Sequence, residues 1–273
     1  MEIGRIAIRV HNPGSIPAAL RNFVSEGPAS IDCQGRFAAV ETPAGPALFD
    51  SGGVWRIHGS AQSVSLVLRA AGRDYHRLDL DPDLLGGRVC LDPGGIEDRA
   101  LFALRAPMLE LWCSFLLMRG TGLLVHGCGW LIDGRVHVFA GPSGAGKTTL
   151  ARLIERAGAG ELLSDDRLVI RPEAGAGFAV CGTPWHGEAR FASPACGPLA
   201  GLYFLRHAPA HALRPLSPRR AAEVLFACCF VAGWPREGLA HVLDTAARIA
   251  ESVPAWELAF APRDDVLECL EIA

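Results

Sequence analysis

The chain has 273 residues, half of them hydrophobic and a fifth charged, with a formal net charge of −3 and a mean hydropathy of +0.23. That length suits one large domain or two smaller ones, and the apolar share excludes a disordered protein. The near-neutral balance, without any block of like charge, argues against a nucleic-acid binder held by phosphate contacts, and no uncharged apolar run reaches the ~18 residues that a membrane span needs.

The first ten residues alternate like a strand and lack the apolar stretch of a signal peptide. Short alternating segments such as 54–58 and 64–69, separated by Gly, Pro and Asp, predict a small β-rich domain over residues 1–104, with a second domain over 105–273. Pro107 opens a buried helix over 108–119. Asp133-Gly134 is a hairpin signal, so strands 123–132 and 135–140 should pair antiparallel. A helix over 148–157 ends at Gly158 and Gly160, a short strand begins at Glu161, and strands 167–171 and 177–182 make a further pair. Ser217-Pro218 starts a helix that runs to about Cys229, and 239–252 makes another. A strand over 256–260 and a short helix over 266–272 close the domain.

Nine cysteines is an odd number, and no C-x-x-C spacing occurs. Several, such as Cys113 and Cys228, sit in apolar runs where a thiol serves as a small hydrophobe. The pattern speaks against a zinc site or a disulfide framework and for a cytoplasmic protein.

Of the 26 basic residues, 25 are arginine and one is lysine, Lys147. A compact ammonium and a guanidinium are not interchangeable at a phosphate, so the lone lysine marks a place where arginine does not work. It lies in Gly141-Pro142-Ser143-Gly144-Ala145-Gly146-Lys147-Thr148, followed by Thr149, a full match to G-x-x-x-x-G-K-[ST]. A strand before and a helix after aim backbone N–H groups and a helix N-terminus at phosphates. Lys147 would reach the β/γ oxygens and the Thr148 hydroxyl would ligate Mg²⁺. Asp165-Asp166 follows Thr148 after one helix and one return strand. Two adjacent carboxylates repel unless a cation or a proton offsets them; one can hold Mg²⁺ while the other accepts a proton from an attacking hydroxyl. The blander alternative is a solvated turn with Asp166 paired to Arg167.

His126-Gly127 on a strand, the glycine loop and the Asp-Asp pair soon after its helix together resemble the HPr kinase/phosphorylase superfamily. That P-loop group is related to ATP-dependent phosphoenolpyruvate carboxykinase. Gly182-Thr183-Pro184-Trp185-His186-Gly187-Glu188 resembles a segment of its shorter branch, which includes proteins encoded beside ribosomal-peptide modification enzymes. The resemblance implies an α/β fold, an HPr-kinase/carboxykinase-like P-loop core with a mixed sheet behind a small β-rich N-terminal domain. It implies a kinase using ATP and Mg²⁺ on a hydroxyl, foremost a serine of a protein or peptide partner. By the same similarity Asp166 is the general base and His126 lies near the transferring phosphoryl. Asp165 and Glu188 then join Thr148 at the metal. The 182–188 loop follows the strand after the Asp-Asp pair and so should lie at the P-loop end of the sheet, where His186 faces the acceptor while Trp185 anchors the loop. The Gly-rich signature that follows the Asp-Asp pair in true HPr kinases is missing, so reversible phosphorylase activity is not implied. Arg206, Arg214 and Arg220 are alternatives for a transition-state arginine. A small-molecule kinase and a non-catalytic nucleotide switch remain the rival readings, a carboxykinase is disfavoured because no second lysine exists, and assembly into a homo-oligomer is left open.

Overall fold

Where alternation and turn signals are dense, strands form, and the chain divides into two compact units: Met1–Glu2 with Ile6–Leu116, and Ile3–Arg5 with Leu117–Ala273. The structure is a computed structural model that describes residues 1–60, 63–95, 101–175, 177–232 and 236–270. After the two-residue β1 (Glu2–Ile3), the first unit contains β2 (Ile6–His11), β3 (Ile31–Phe37), β4 (Ala47–Asp50), β5 (Trp55–Ser60), β6 (Ser63–Ala70), β7 (Arg73–Leu80) and β8 (Gly86–Leu91). They lie in the order β2-β3-β8-β7-β6-β5-β4, parallel from β2 to β8 and antiparallel beyond. Alternate residues such as Ile57, Leu66, Leu78 and Val89 are fully or almost fully buried along one face. Helix α1 (Met108–Leu116) belongs to this unit, where the Trp112 indole donates to the Leu84 carbonyl at 3.0 Å. The break therefore follows Leu116 rather than residue 104.

The second unit holds β9 (Leu123–Ile132), β10 (Arg135–Ala140), α2 (Lys147–Ala157), β11 (Glu161–Ser164), β12 (Arg167–Pro172), β13 (Phe178–Gly182), β14 (Cys196–His207), β15 (Ala212–Pro215), α3 (Pro218–Ala227), α4 (Arg236–Ser252) and β16 (Ala255–Phe260). The hairpin signal at Asp133-Gly134 does its expected work, pairing β9 with β10 antiparallel. Strand β14 gives this sheet its shape by changing partners along its length: Cys196–Pro198 with β13, Leu199–Phe204 with β10 and Leu202–His207 with β16. Because β10 pairs with β9 as well as β14, the path β9-β12-β13-β14-β10 closes on itself. Both sheets are mixed, and the fold is mixed α/β.

Helix α2 packs Leu150, Ala151, Leu153 and Ile154 onto a cluster with Cys128, Phe139, Tyr203 and Phe260. Each of the leucine, isoleucine and phenylalanine side chains contributes roughly 1.5–3 kcal/mol on burial, so the helix start is held firmly at the C-terminal end of β10. Ser217 caps α3 with Pro218 in its first turn, as its sequence signal requires. Residues 264–270 form two single turns rather than one helix, and 271–272 lie outside the described residues. Among the described residues no helix is long and apolar enough to cross a membrane. One cysteine expectation is overturned: Cys181 on β13 and Cys196 on β14 are directly opposed in the ladder and form a disulfide. Only the strand register brings them together, which residue spacing does not reveal.

Candidate functional site

The loop between β10 and α2 is built on two left-handed glycines, Gly144 at φ +80° and Gly146 at φ +102°. At Gly146 a side chain is excluded twice, by that dihedral and by Phe260, whose ring edge lies 2.7 Å from where a Cβ would stand. Lys147, only 6% exposed, folds its ammonium back over the loop to donate to the carbonyls of Gly141 at 2.8 Å and Pro142 at 2.9 Å. Burial lowers its proton affinity from the ordinary lysine range. His207, at the end of β14, sits 2.6 Å by its Nε2 from the Gly144 carbonyl and stacks against Phe260.

Strand β11 runs beside β9, slips register before Ser164 and turns into β12. The Ser164 hydroxyl shapes the turn by accepting from the amides of Asp166 and Arg167 at 3.2 Å each. The two aspartates on this turn meet different partners. Asp165 is 2% exposed, and its carboxylate accepts the backbone N–H groups of Gly187 at 2.9 Å, Ala189 at 2.8 Å and Phe191 at 3.2 Å. The expected metal ligand is thus committed to holding the loop that follows β13. Gly187 is needed there because a Cβ would stand 2.7 Å from Asp165 Oδ2. Asp166 is partly exposed, with Oδ1 2.8 Å from His126 Nδ1 and 2.9 Å from Arg167 Nη1. Burial pushes the Asp166 carboxyl up, but the charges around it, Arg167 and Lys147 among them, hold it below the usual range.

His126, Ser143, Gly144, Gly146, Lys147, Thr148, Thr149, Asp165, Asp166, Gly187, Glu188 and His207 line one cleft of about 450 Å³. Segments far apart in sequence are therefore gathered as expected, with Glu188 reaching the cleft from the 183–195 loop. His186 on that loop is exposed and turns its ring to the Gly187 carbonyl at 3.0 Å. Trp185 is half-buried and does not anchor the loop in the core; the fully buried Thr183 does, donating to the Arg167 carbonyl at 2.8 Å. Arg206 and Arg220 pair with Glu257 and Glu223, and Arg214 is exposed on β15. Cys128 is fully buried, and burial raises its thiol beyond reach of nucleophilic use.

Two residues at this site carried no strong sequence signal. Arg167 read as a mere partner of Asp166, yet its rung places it opposite His126. His207 ends a strand that the glycines and proline of 197–201 disguise. No protein-family model and no curated protein matches this chain.

Proposed function

We propose that the chain is a Mg²⁺- and ATP-dependent phosphotransferase with an HPr-kinase-like P-loop core, acting on a hydroxyl, foremost a serine of a protein or peptide. The observation that carries this reading is the meeting of Lys147, Thr148, His126 and Asp166 in one cleft, brought there from three separate chain segments. The groups suit a nucleotide. A buried ammonium at a helix start, beside a loop open through two left-handed glycines, is a cradle for an anion. Among the described residues no three His, Cys, Asp or Glu side chains form a cage, and Mg²⁺ in nucleotide sites rests on one or two side chains plus phosphate oxygens. Thr148 and Glu188 line the cleft and carry the oxygens that would hold it, with Asp165 fixing the loop that brings Glu188 there.

Bound Mg²⁺ would neutralise phosphate charge. Lys147 leaves its two carbonyl partners for the β/γ oxygens, the loop amides fix the phosphates, and the acceptor oxygen is held in line. Asp166 takes the acceptor proton as that oxygen bonds to the γ-phosphorus and ADP leaves with the old bond's electrons. A carboxylate held ionised is always ready for that proton, although its low basicity limits the gain to the lower end of general-base effects, about 10²-fold. The test is titration calorimetry with Mg-ATP and phosphoryl transfer to candidate seryl peptides, for wild type and Lys147→Ala. Loss of both in the variant with the fold retained is expected; a Lys147→Ala protein that binds Mg-ATP like wild type refutes the site.

A further inference from the structure

Arg167 begins β12 directly across from His126 on β9. Its Nη1 is 2.7 Å from His126 Nδ1 and 2.9 Å from Asp166 Oδ1, and those two atoms are 2.8 Å from each other. The guanidinium lies over the Phe230 ring at 5.6 Å, and Phe230 is itself tied by its N–H to the Leu124 carbonyl at 2.7 Å. The side chain is 20% exposed. All three corners of the triangle are thus fixed by strand pairing and packing.

Three mutual contacts cannot all be hydrogen bonds. A guanidinium N–H only donates, and arginine keeps its charge at any working pH. A proton on His126 Nδ1 would set N–H against N–H across 2.7 Å. Nδ1 must therefore accept, which leaves the ring proton on Nε2. The 2.8 Å approach of Nδ1 to Asp166 Oδ1 then joins two acceptors, and it holds because both face the same cation. Take the cation away and the two lone pairs repel; the ring relieves this by moving its proton to Nδ1 and donating to Asp166.

We propose that Arg167 is a positioning residue that fixes His126 as its Nε2–H tautomer, so that the ring donates into the cleft while Asp166 stays free for the acceptor proton. His126 lines the cleft and its Nδ1 edge is occupied by Arg167 and Asp166, so Nε2 is the edge left for the cleft. An Nε2–H group attracts phosphoryl oxygens, whereas a bare Nε2 lone pair repels them. The catalytic consequence rests on the phosphotransferase reading; the tautomer assignment does not.

Long-range ¹H–¹⁵N spectra of protein labelled at histidine, recorded at about pH 8 where an ordinary histidine is neutral, report the tautomer directly. His126 is identified by the signals lost in His126→Gln. Wild type and Arg167→Lys, which keeps a cation, should show the proton on Nε2; Arg167→Met, which removes the cation, should show it on Nδ1. In turnover, Arg167→Met should lower kcat on the order of tenfold to a hundredfold while Mg-ATP affinity stays within about twofold, and Arg167→Lys should recover most of the rate. Wild type with its proton on Nδ1, or Arg167→Met with it still on Nε2, overturns the proposal even if the enzyme is active. The expected tautomer pattern in a protein that transfers no phosphoryl group upholds the assignment and refutes the kinase reading instead.

Discussion

Replacing Asp165 by Asn should destabilise the second unit far more than the same change at Asp166, although the two residues are neighbours and chemically identical. Asp165 Oδ1 serves Gly187 and Phe191, and Oδ2 serves Ala189. An amide has one oxygen, so the pair on Oδ1 is kept in weaker, uncharged form while an NH₂ group is set against the Ala189 N–H. Hydrogen bonds to a charged group contribute about 1.5–3 kcal/mol and neutral ones about 1. Losing one outright and weakening two therefore costs about 3 kcal/mol, or about 6–12 °C in Tm for a unit of this size. Asp166 is 27% exposed and sits in a half-solvated cluster, so Asp166→Asn should cost about 1 kcal/mol or less. Calorimetric melting of both variants, with amide exchange at Gly187, Ala189 and Phe191, tests this. An Asp165→Asn protein that melts within about 1 °C of wild type, with those three amides still protected, would refute the cradle.

Gly146→Ala should lose Mg-ATP affinity by at least about tenfold, because its φ of +102° and the Phe260 ring both oppose a methyl group; calorimetric titration checks it, and unchanged affinity would contradict the loop geometry. His76 in the first unit is fully buried, its Nε2 against the Ala103 carbonyl, and burial pushes it down to about 4. The unfolded chain takes up that proton near 6.5, so the stability this neutral ring contributes is complete above 6.5 and is lost as pH falls through 4, by about 3 kcal/mol at most. Denaturant midpoints between those limits should show the loss, and His76→Gln should flatten it. Reducing the Cys181–Cys196 disulfide, which closes a loop of sequence separation 15, should remove about 3 kcal/mol of stability. Melting with and without a dithiol decides this, and a Cys181→Ser/Cys196→Ser double variant should match the reduced protein.

What could be read in the sequence was what depends on near neighbours. The hairpin at Asp133-Gly134, the capped start of α3 and the glycine loop are all local patterns, and each lies where its chemistry demands. Strand β14 escaped because Gly197, Pro198 and Gly201 break its pattern and because Leu202, Tyr203, Phe204 and Leu205 are buried in an unbroken run. A central strand covered on both faces has no alternation to detect. The same holds for the partners of the acidic pair. That two carboxylates at a strand end needed compensation was evident; that three backbone amides 22 to 26 residues away compensate one of them follows only from the closed sheet.

Three consecutive residues at the turn from β11 into β12 each take different partners. Asp165 holds the loop after β13, Asp166 meets His126 and Arg167, and Arg167 begins β12 opposite His126. The loop and Asp166 are therefore fixed to one turn, itself tied by Ser164 to the Trp185 carbonyl and by the Gly127 N–H to the Asp166 carbonyl. A shift of that turn moves Glu188 and Asp166 together and leaves their separation unchanged. In the proposed phosphotransferase, metal placement and proton abstraction would have to share a geometry to within about 0.5 Å, and building both on one turn is a physical way to keep it. The charges obey the same logic: the carboxylate satisfied by neutral amides is the buried one, and the one beside two cationic side chains is the one left in contact with solvent.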